Sequence, residues 1–284
     1  MVWDFDYTSV NSIKTLLNGS GLYMNRKFGQ NFLINRSALD RIMSEAQVKA
    51  GMKVWEVGPG IGALTTRLVN AGADVKAFEI DRGFCAILKE KVFVNEKNFT
   101  LIEGDVLKNW EAEYRNNGAP DLVCANLPYN IGSVFIARLI EERCLPHRMV
   151  FTLQKEVVRR MCGEVGSELY GSFSILTSLD YANREAFTLK STSFWPAPDV
   201  DSAVIVMEKR EEPIVNENDV KKYIDFLHVV FSARRKTLLN NLKAGGYSAE
   251  RVERALEKNM MNPAVRAEAL SAGELYSLMK TLCE

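Results

Sequence analysis

The sequence carries no excess of charge: 36 lysines and arginines balance 36 aspartates and glutamates over 284 residues. A uniformly basic surface that holds nucleic acid by charge alone is excluded, so any phosphate contact has to come from a local patch. Histidine is scarce, with only His147 and His228. Neither has a triad or metal partner in view, and both read as structural. The five cysteines (Cys85, Cys124, Cys144, Cys162, Cys283) are scattered, with no C-x-x-C pair. That spacing argues against a zinc site or a disulfide framework and fits a reducing compartment. No metal is expected. No apolar run reaches the roughly 18 residues of a membrane span. The first residues lack the basic start and apolar stretch of a secretory signal. A cytoplasmic protein without a membrane partner is the expectation. What remains is 47% apolar and 25% charged, the mix of a globular chain with room for one large domain and a small one.

The pattern that is present begins at Lys53-Val54-Trp55-Glu56-Val57, a short strand that runs into Gly58-Pro59-Gly60-Ile61-Gly62. Leu64–Asn70 reads as the helix that follows. Strand, glycine turn and helix open a nucleotide-binding βαβ unit, because glycines admit a ligand to the backbone and the helix start adds positive potential. Gly58, Gly60 and Ala63 also satisfy a dinucleotide pattern, so a dehydrogenase stays open on this motif alone. The next strand, Val75–Ile80, ends in Glu79, which follows Gly58 by 21 positions. An acid there accepts ribose hydroxyls. A third strand, Phe99–Glu103, is followed by Gly104-Asp105. That aspartate suits the exocyclic amine of a bound adenine, which a dehydrogenase does not need.

Leu122-Val123-Cys124-Ala125 reads as a buried parallel strand, and Asn126-Leu127-Pro128-Tyr129 sits at its carboxyl end. In open α/β sheets that edge binds ligands. The tetrapeptide offers an amide, a backbone carbonyl shaped by proline and an aromatic face, a set that holds a planar base and accepts hydrogen bonds from its amine. The same residues also make an ordinary turn. Val134–Glu142 reads as helix and Met149–Gln154 as strand. Lys155, Arg159 and Arg160 then share one side of a helix. Residues 163–172 read as a glycine- and serine-rich loop, Ile175–Asp180 as helix and Glu185–Leu189 as strand. In Phe194-Trp195-Pro196-Ala197-Pro198 two alternate prolines stiffen the backbone, which suits Phe194 as a stacking surface. Ala203–Met207 is a final strand.

Glu211-Glu212-Pro213 is the expected boundary between a large domain over 25–210 and a small helical one over 214–284, with residues 1–24 as an extension. Apolar residues from Val220 to Phe231 recur on one helix face. The small domain is not basic overall, with 11 Lys/Arg against 9 Asp/Glu. Its one cationic cluster is Arg234-Arg235-Lys236, suited to phosphates. Ser248 caps a helix over Ala249–Asn259, and Ala272–Leu282 closes the chain.

Taken in order, the motifs are a basic segment 25–28 leading into Gly29-Gln30-Asn31-Phe32-Leu33, then E-x-G-x-G-x-G, the acid Glu79, Gly104-Asp105, N-L-P-Y-N from Asn126, F-x-P-x-P-x-V-x-S from Phe194, and F-x-x-R-R-K-T-L from Phe231. This ordered set closely resembles the small-subunit ribosomal RNA adenine dimethyltransferase family, over about residues 25–284. The resemblance implies a Rossmann-like methyltransferase sheet with a reversed last strand plus a small helical domain. It implies S-adenosylmethionine held by Asn31, Leu33, Gly58 and Gly60, with Glu79 on the ribose, Asp105 on the adenine amine and Asn126 at the methyl-donor end. The implied substrate is two adjacent adenines near the 3′ end of 16S RNA in an immature 30S particle, met by a monomer. On this reading Asn126 and the carbonyl of Leu127 or Pro128 accept the N6 protons, while Tyr129 and Phe194 grip the base. Arg234, Arg235 and Lys236 face RNA. The chain departs from the family at Glu168 and Ser172, where a lysine and an arginine are usual, which removes two charges from a loop near the lid. A DNA adenine methyltransferase and a non-catalytic assembly factor on the same fold remain the rival readings.

Overall fold

A computed structural model describes residues 3–23 and 30–283. The basic segment 25–28 and Gly29, which open the first motif, lie outside the described residues.

The core is a seven-stranded sheet. Its strands are β2 (Lys53–Val57), β3 (Asp74–Glu79), β4 (Phe99–Glu103), β5 (Leu122–Asn126), β6 (Arg148–Gln154), β7 (Tyr181–Leu189) and β9 (Ser202–Lys209), while β1 (Phe32–Leu33) and β8 (Phe194–Trp195) form a separate two-stranded pair. The spatial order is β4-β3-β2-β5-β6-β9-β7. The pairs from β4 through to β6 are parallel, and β9 lies antiparallel to β6, which is the reversed strand the resemblance implies. Apolar runs explain the interior positions of β5 and β9: Leu122 to Ala125 and Ser202 to Met207 are buried, as expected for strands covered on both faces. The chain builds outward from β2 to β4, then returns to β5 on β2's other side. That reversal opens a crevice at the carboxyl ends of β2 and β5.

The helices up to Ser178 are α1 (Val10–Gly19), α2 (Arg36–Ala46), α3 (Ala63–Asn70), α4 (Arg82–Ile87), α5 (Val106–Asn117), α6 (Gly132–Glu141), α7 (Lys155–Met161) and α8 (Ser172–Ser178). α8 starts three residues before the expected Ile175, because Ser174 Oγ accepts from the Gly171 N–H at 3.1 Å and fixes the first turn inside the glycine- and serine-rich stretch. The lead-in is not a detached extension. Ile13 and Leu17 of α1 are buried in the main core, and the Tyr7 hydroxyl meets Thr66 Oγ1 at 2.9 Å. Each such aliphatic side chain contributes about 1.5–3 kcal/mol when fully buried.

The chain divides into two compact units, and not at one point. One comprises 1–135, 144–158 and 184–209; the other takes 136–143 and 159–183 together with 210–284. The second therefore reaches beyond the expected 214–284. Arg143 shows why: its guanidinium meets Asp180 at 2.6 Å and Glu217 at 2.6 Å, tying three stretches of that unit together. Its remaining helices are α9 (Val220–Val230), α10 (Leu238–Ala244), α11 (Ala249–Lys258) and α12 (Ala272–Cys283). Ser248 Oγ caps α11 by accepting from the Arg251 N–H. Among the described residues no helix is long and apolar enough to cross a membrane, and no cluster of metal-ligating side chains occurs.

Candidate active site

The crevice holds a cavity of roughly 350 Å³. Four short segments make its floor and walls, and each is held by its own local chemistry. After β2 the chain turns through Gly58 and Gly60, both at positive φ (67° and 58°). Side chains rarely adopt that conformation. At Gly60 a Cβ would also lie 3.0 Å from the Phe32 ring, so the glycine serves both the turn and the close approach of the β1 segment.

After β3, Glu79 points back under this turn. Its Oε2 accepts from the Gly60 N–H at 3.0 Å and its Oε1 from the Asp81 N–H at 2.8 Å. The carboxylate so held is buried, and burial pushes its pKa up to about 7 despite those two donors. Asp81 itself is spent on structure, capping α4 and accepting from Gln30 Nε2 at 2.8 Å. After β4, Asp105 caps α5 through Leu107 N–H, and its carboxylate borders the cavity.

After β5 comes the tetrapeptide. Asn126 Nδ2 donates to the Asn31 carbonyl at 3.0 Å. This fixes the amide's orientation and leaves Oδ1 as the end that accepts. The carbonyl of Pro128 is occupied, receiving the N–H groups of Ile131 and Gly132 at 3.1 and 3.2 Å as the chain turns into α6. The sequence left Leu127 and Pro128 as alternative acceptors. The turn removes Pro128, and Leu127's carbonyl is the one without a donor among the described residues. The Pro128 ring instead covers Gly58, where a Cβ would sit 3.6 Å from Pro128 Cδ.

The cavity gathers Asn31, Leu33, Gly58, Gly60, Glu79, Asp105, Asn126, Leu127, Pro128 and Tyr129. It does not gather Phe194. That ring is 3% exposed and packed in the main core, with Phe194 facing Leu33 across the β1–β8 pair. Its neighbour Trp195 takes the more exposed position, as alternation along a strand requires. The clamp of Tyr129 and Phe194 expected from the sequence is therefore not assembled. The proline motif reaches Tyr129 by another residue: Ser202 Oγ lies 2.5 Å from the Tyr129 hydroxyl.

Arg234, Arg235 and Lys236 lie in the second unit and are exposed. Arg234 pairs with Glu268 and donates to the carbonyl of Glu168. It is tied into its own unit, whereas the side chains of Arg235 and Lys236 have no partner among the described residues.

Sequence reasoning missed Glu56. This carboxyl is 2% exposed, lines the cavity, and its Oε2 has no hydrogen-bond partner. Burial raises its pKa to about 8, with Glu79 adding to the effect. The only signal was its place at the head of the glycine motif. With Glu56, Glu79 and Asp105 the cavity wall carries three carboxyl groups and no lysine, arginine or histidine among the described residues. Such a wall fits a ligand bearing positive charge and fits a pyrophosphate poorly. S-adenosylmethionine, a sulfonium with an ammonium group, fits it; the orphaned Glu56 oxygen is the kind of buried acceptor such a cation would satisfy.

A family model described as ribosomal RNA adenine dimethylase matches residues 21–284. The chain is 40% identical over 271 residues to a ribosomal RNA small subunit methyltransferase A of Treponema denticola, covering 94% of this chain and 92% of that protein. A protein of the same name from Lactococcus lactis is 38% identical over 280 residues, covering 96% and 95%. Among solved structures, a dimethyladenosine transferase from Plasmodium falciparum superposes with a TM-score of 0.72 at 26% identity, over 86% of this chain and 94% of that one. The 23S rRNA methyltransferase ErmE shares the fold, with a TM-score of 0.67 at 22% identity over 89% and 99% of the two chains.

Proposed function

Because the chain belongs to the ribosomal RNA adenine dimethylase family, we propose that it transfers methyl groups to N6 of two adjacent adenines near the 3′ end of 16S RNA within an immature small subunit. The enzyme class follows from that membership: the protein is an S-adenosylmethionine-dependent rRNA adenine dimethyltransferase. The observation that carries the residue-level reading is the fixed amide of Asn126, whose Nδ2 is spent on Asn31.

S-adenosylmethionine, when bound, supplies a methyl group already activated on a sulfonium sulfur. The protein's task is position. Glu79 would hold the ribose and Asp105 the adenine amine of the donor, and Gly58, Gly60, Asn31 and Leu33 would shape the wall around them. Asn126 Oδ1 and the Leu127 carbonyl accept hydrogen bonds from the two N6 N–H groups of the target adenine, and the proton that the nitrogen sheds on methylation passes to water. The nitrogen lone pair is delocalised into the ring, and two acceptors pull the amine pyramidal and aim that pair at the donor. Tyr129 provides one face against the base, which must leave its stack to reach the site. Catalysis is orientation with local electrostatic support. Each base takes two methyl groups, so the pocket also accepts the monomethyl product.

Arg235 and Lys236 contact phosphates in this reading, while Arg234 keeps its own unit in order. Removing both charges (R235A, K236A) is expected to weaken RNA binding and to lower the salt dependence of log K by about one for each phosphate left without its cation. A salt titration of binding checks this, and an unchanged slope returns both residues to the solvated surface. For the substrate, labelled S-adenosylmethionine with immature small subunits, mature small subunits and large subunits distinguishes the cases. Label on immature small subunits alone is the expected result, and label on large-subunit RNA overturns it.

A further inference from the structure

The proline motif meets the site through its last residue, not its first. We propose that Ser202 is a positioning residue that sets the ring of Tyr129 for the incoming base. The proposal rests on the reading of Tyr129 given above. Ser202 opens β9 and is fully buried, with 0% exposure, and it pairs with Gln154 of β6 in the antiparallel ladder. Its backbone is thus held in the ladder and its side chain enclosed. Tyr129 is not: it lies past the end of β5, in the turn before α6. Its side chain swings about two torsions, and the 2.5 Å contact between its hydroxyl and Ser202 Oγ closes that freedom at the far end. Burial pushes the phenol above its ordinary range, so the hydroxyl stays neutral and keeps this bond at working pH. The face of the ring that borders the cavity is then set before a base arrives. A ring ordered in advance spares the encounter that entropy loss, which is the general advantage of preorganisation.

The test uses the full chain with small-subunit particles as methyl acceptor. Ser202→Ala and Tyr129→Phe each cut the bond and keep the ring. Each is expected to lower kcat/KM for RNA roughly two- to tenfold, the range of one net hydrogen bond, with S-adenosylmethionine affinity unchanged and the thermal midpoint lowered by no more than a few degrees. The double variant is expected to be no worse than either single one, and Ser202→Thr to restore most of the loss. A merely structural serine would instead lower the midpoint without a loss specific to RNA, leaving kcat/KM for RNA unchanged or lowering cofactor affinity with it. Tyr129→Leu separates the two levels of the claim. If it impairs RNA methylation while Ser202→Ala and Tyr129→Phe both match the wild type, the anchor is overturned and the Tyr129 reading stands. If Tyr129→Leu itself matches the wild type, both fall. Should Ser202→Ala fail to fold, Tyr129→Phe decides alone, since it leaves the buried serine in place.

Discussion

Asn126→Ala is expected to lower methyl transfer about a hundred- to a thousandfold, the range for removing one fixed polar group at a reacting centre, with S-adenosylmethionine still bound. The reason lies in how the amide is held. Its Nδ2 donates to the Asn31 carbonyl at 3.0 Å, which presents Oδ1 to the target amine without any reorganisation at the moment of reaction. Alanine removes the acceptor and leaves only Leu127's carbonyl. Asn126→Asp separates geometry from chemistry. It keeps an oxygen where Oδ1 was, but sets a second oxygen against the Asn31 carbonyl, so the two repel and the side chain turns away. Aspartate is therefore expected to be nearly as inactive as alanine. Single-turnover methyl transfer, read beside equilibrium cofactor binding, checks both. Full activity in Asn126→Ala removes the residue from the reaction.

The second large effect concerns Glu79 and pH. In the proposed role of Glu79, Glu79→Ala deletes the acceptor of two ribose hydroxyls. Hydrogen bonds to a charged group are worth about 1.5–3 kcal/mol each, so cofactor affinity is expected to fall about a hundredfold or more. The carboxyl also titrates in the working range, because burial raises it to about 7, and Glu56 beside it rises to about 8. Both folded values lie above the ordinary 4.5. The cofactor-free folded protein therefore holds more protons than the unfolded chain between about pH 4.5 and 8, and its stability falls as pH rises through that window. A cationic donor acts in the opposite direction. It favours the ionised carboxylates, so its binding tightens with rising pH, by at most about tenfold per pH unit for each group, and releases protons. Calorimetric titration in buffers of different ionisation enthalpy at pH 6 and pH 8 checks this. In Glu79→Gln part of the pH dependence is expected to vanish; an affinity flat with pH in the native protein contradicts the linkage.

The fold was legible where apolar runs were continuous and not where they were sparse. Strands β2, β3, β5, β6 and β9 were readable because strands covered on both faces are nearly uninterrupted in apolar residues, whereas β7 alternates and only its second half, Glu185–Leu189, was legible. Helix α5 was not, since only Val106 and Trp110 along its length are buried, too few to mark a face. Helix α4 hid behind Gly83, a poor helix former, which lets the Leu22 side chain lie where a Cβ would stand. The extent of the second unit was hidden for a different reason: Arg143, Asp180 and Glu217 meet across stretches far apart in sequence. At the site, the motifs pointed to Gly58, Gly60, Glu79 and Asp105, and all four border the cavity because strand ends fix their place. Motif spacing carried no information on which way a side chain turns. Phe194 was thus read toward the base and is found in the core, Ser202 was read as the motif's tail and is found on Tyr129, and Glu56 stood unread in the first strand.

The most direct measurement is a crystal structure with S-adenosylhomocysteine bound. The account predicts ribose hydroxyls on Glu79, the adenine amine on Asp105, and the sulfur aimed at the space in front of Asn126 Oδ1 and the Leu127 carbonyl. A ligand seated elsewhere, or one whose sulfur faces away from Asn126, would contradict it.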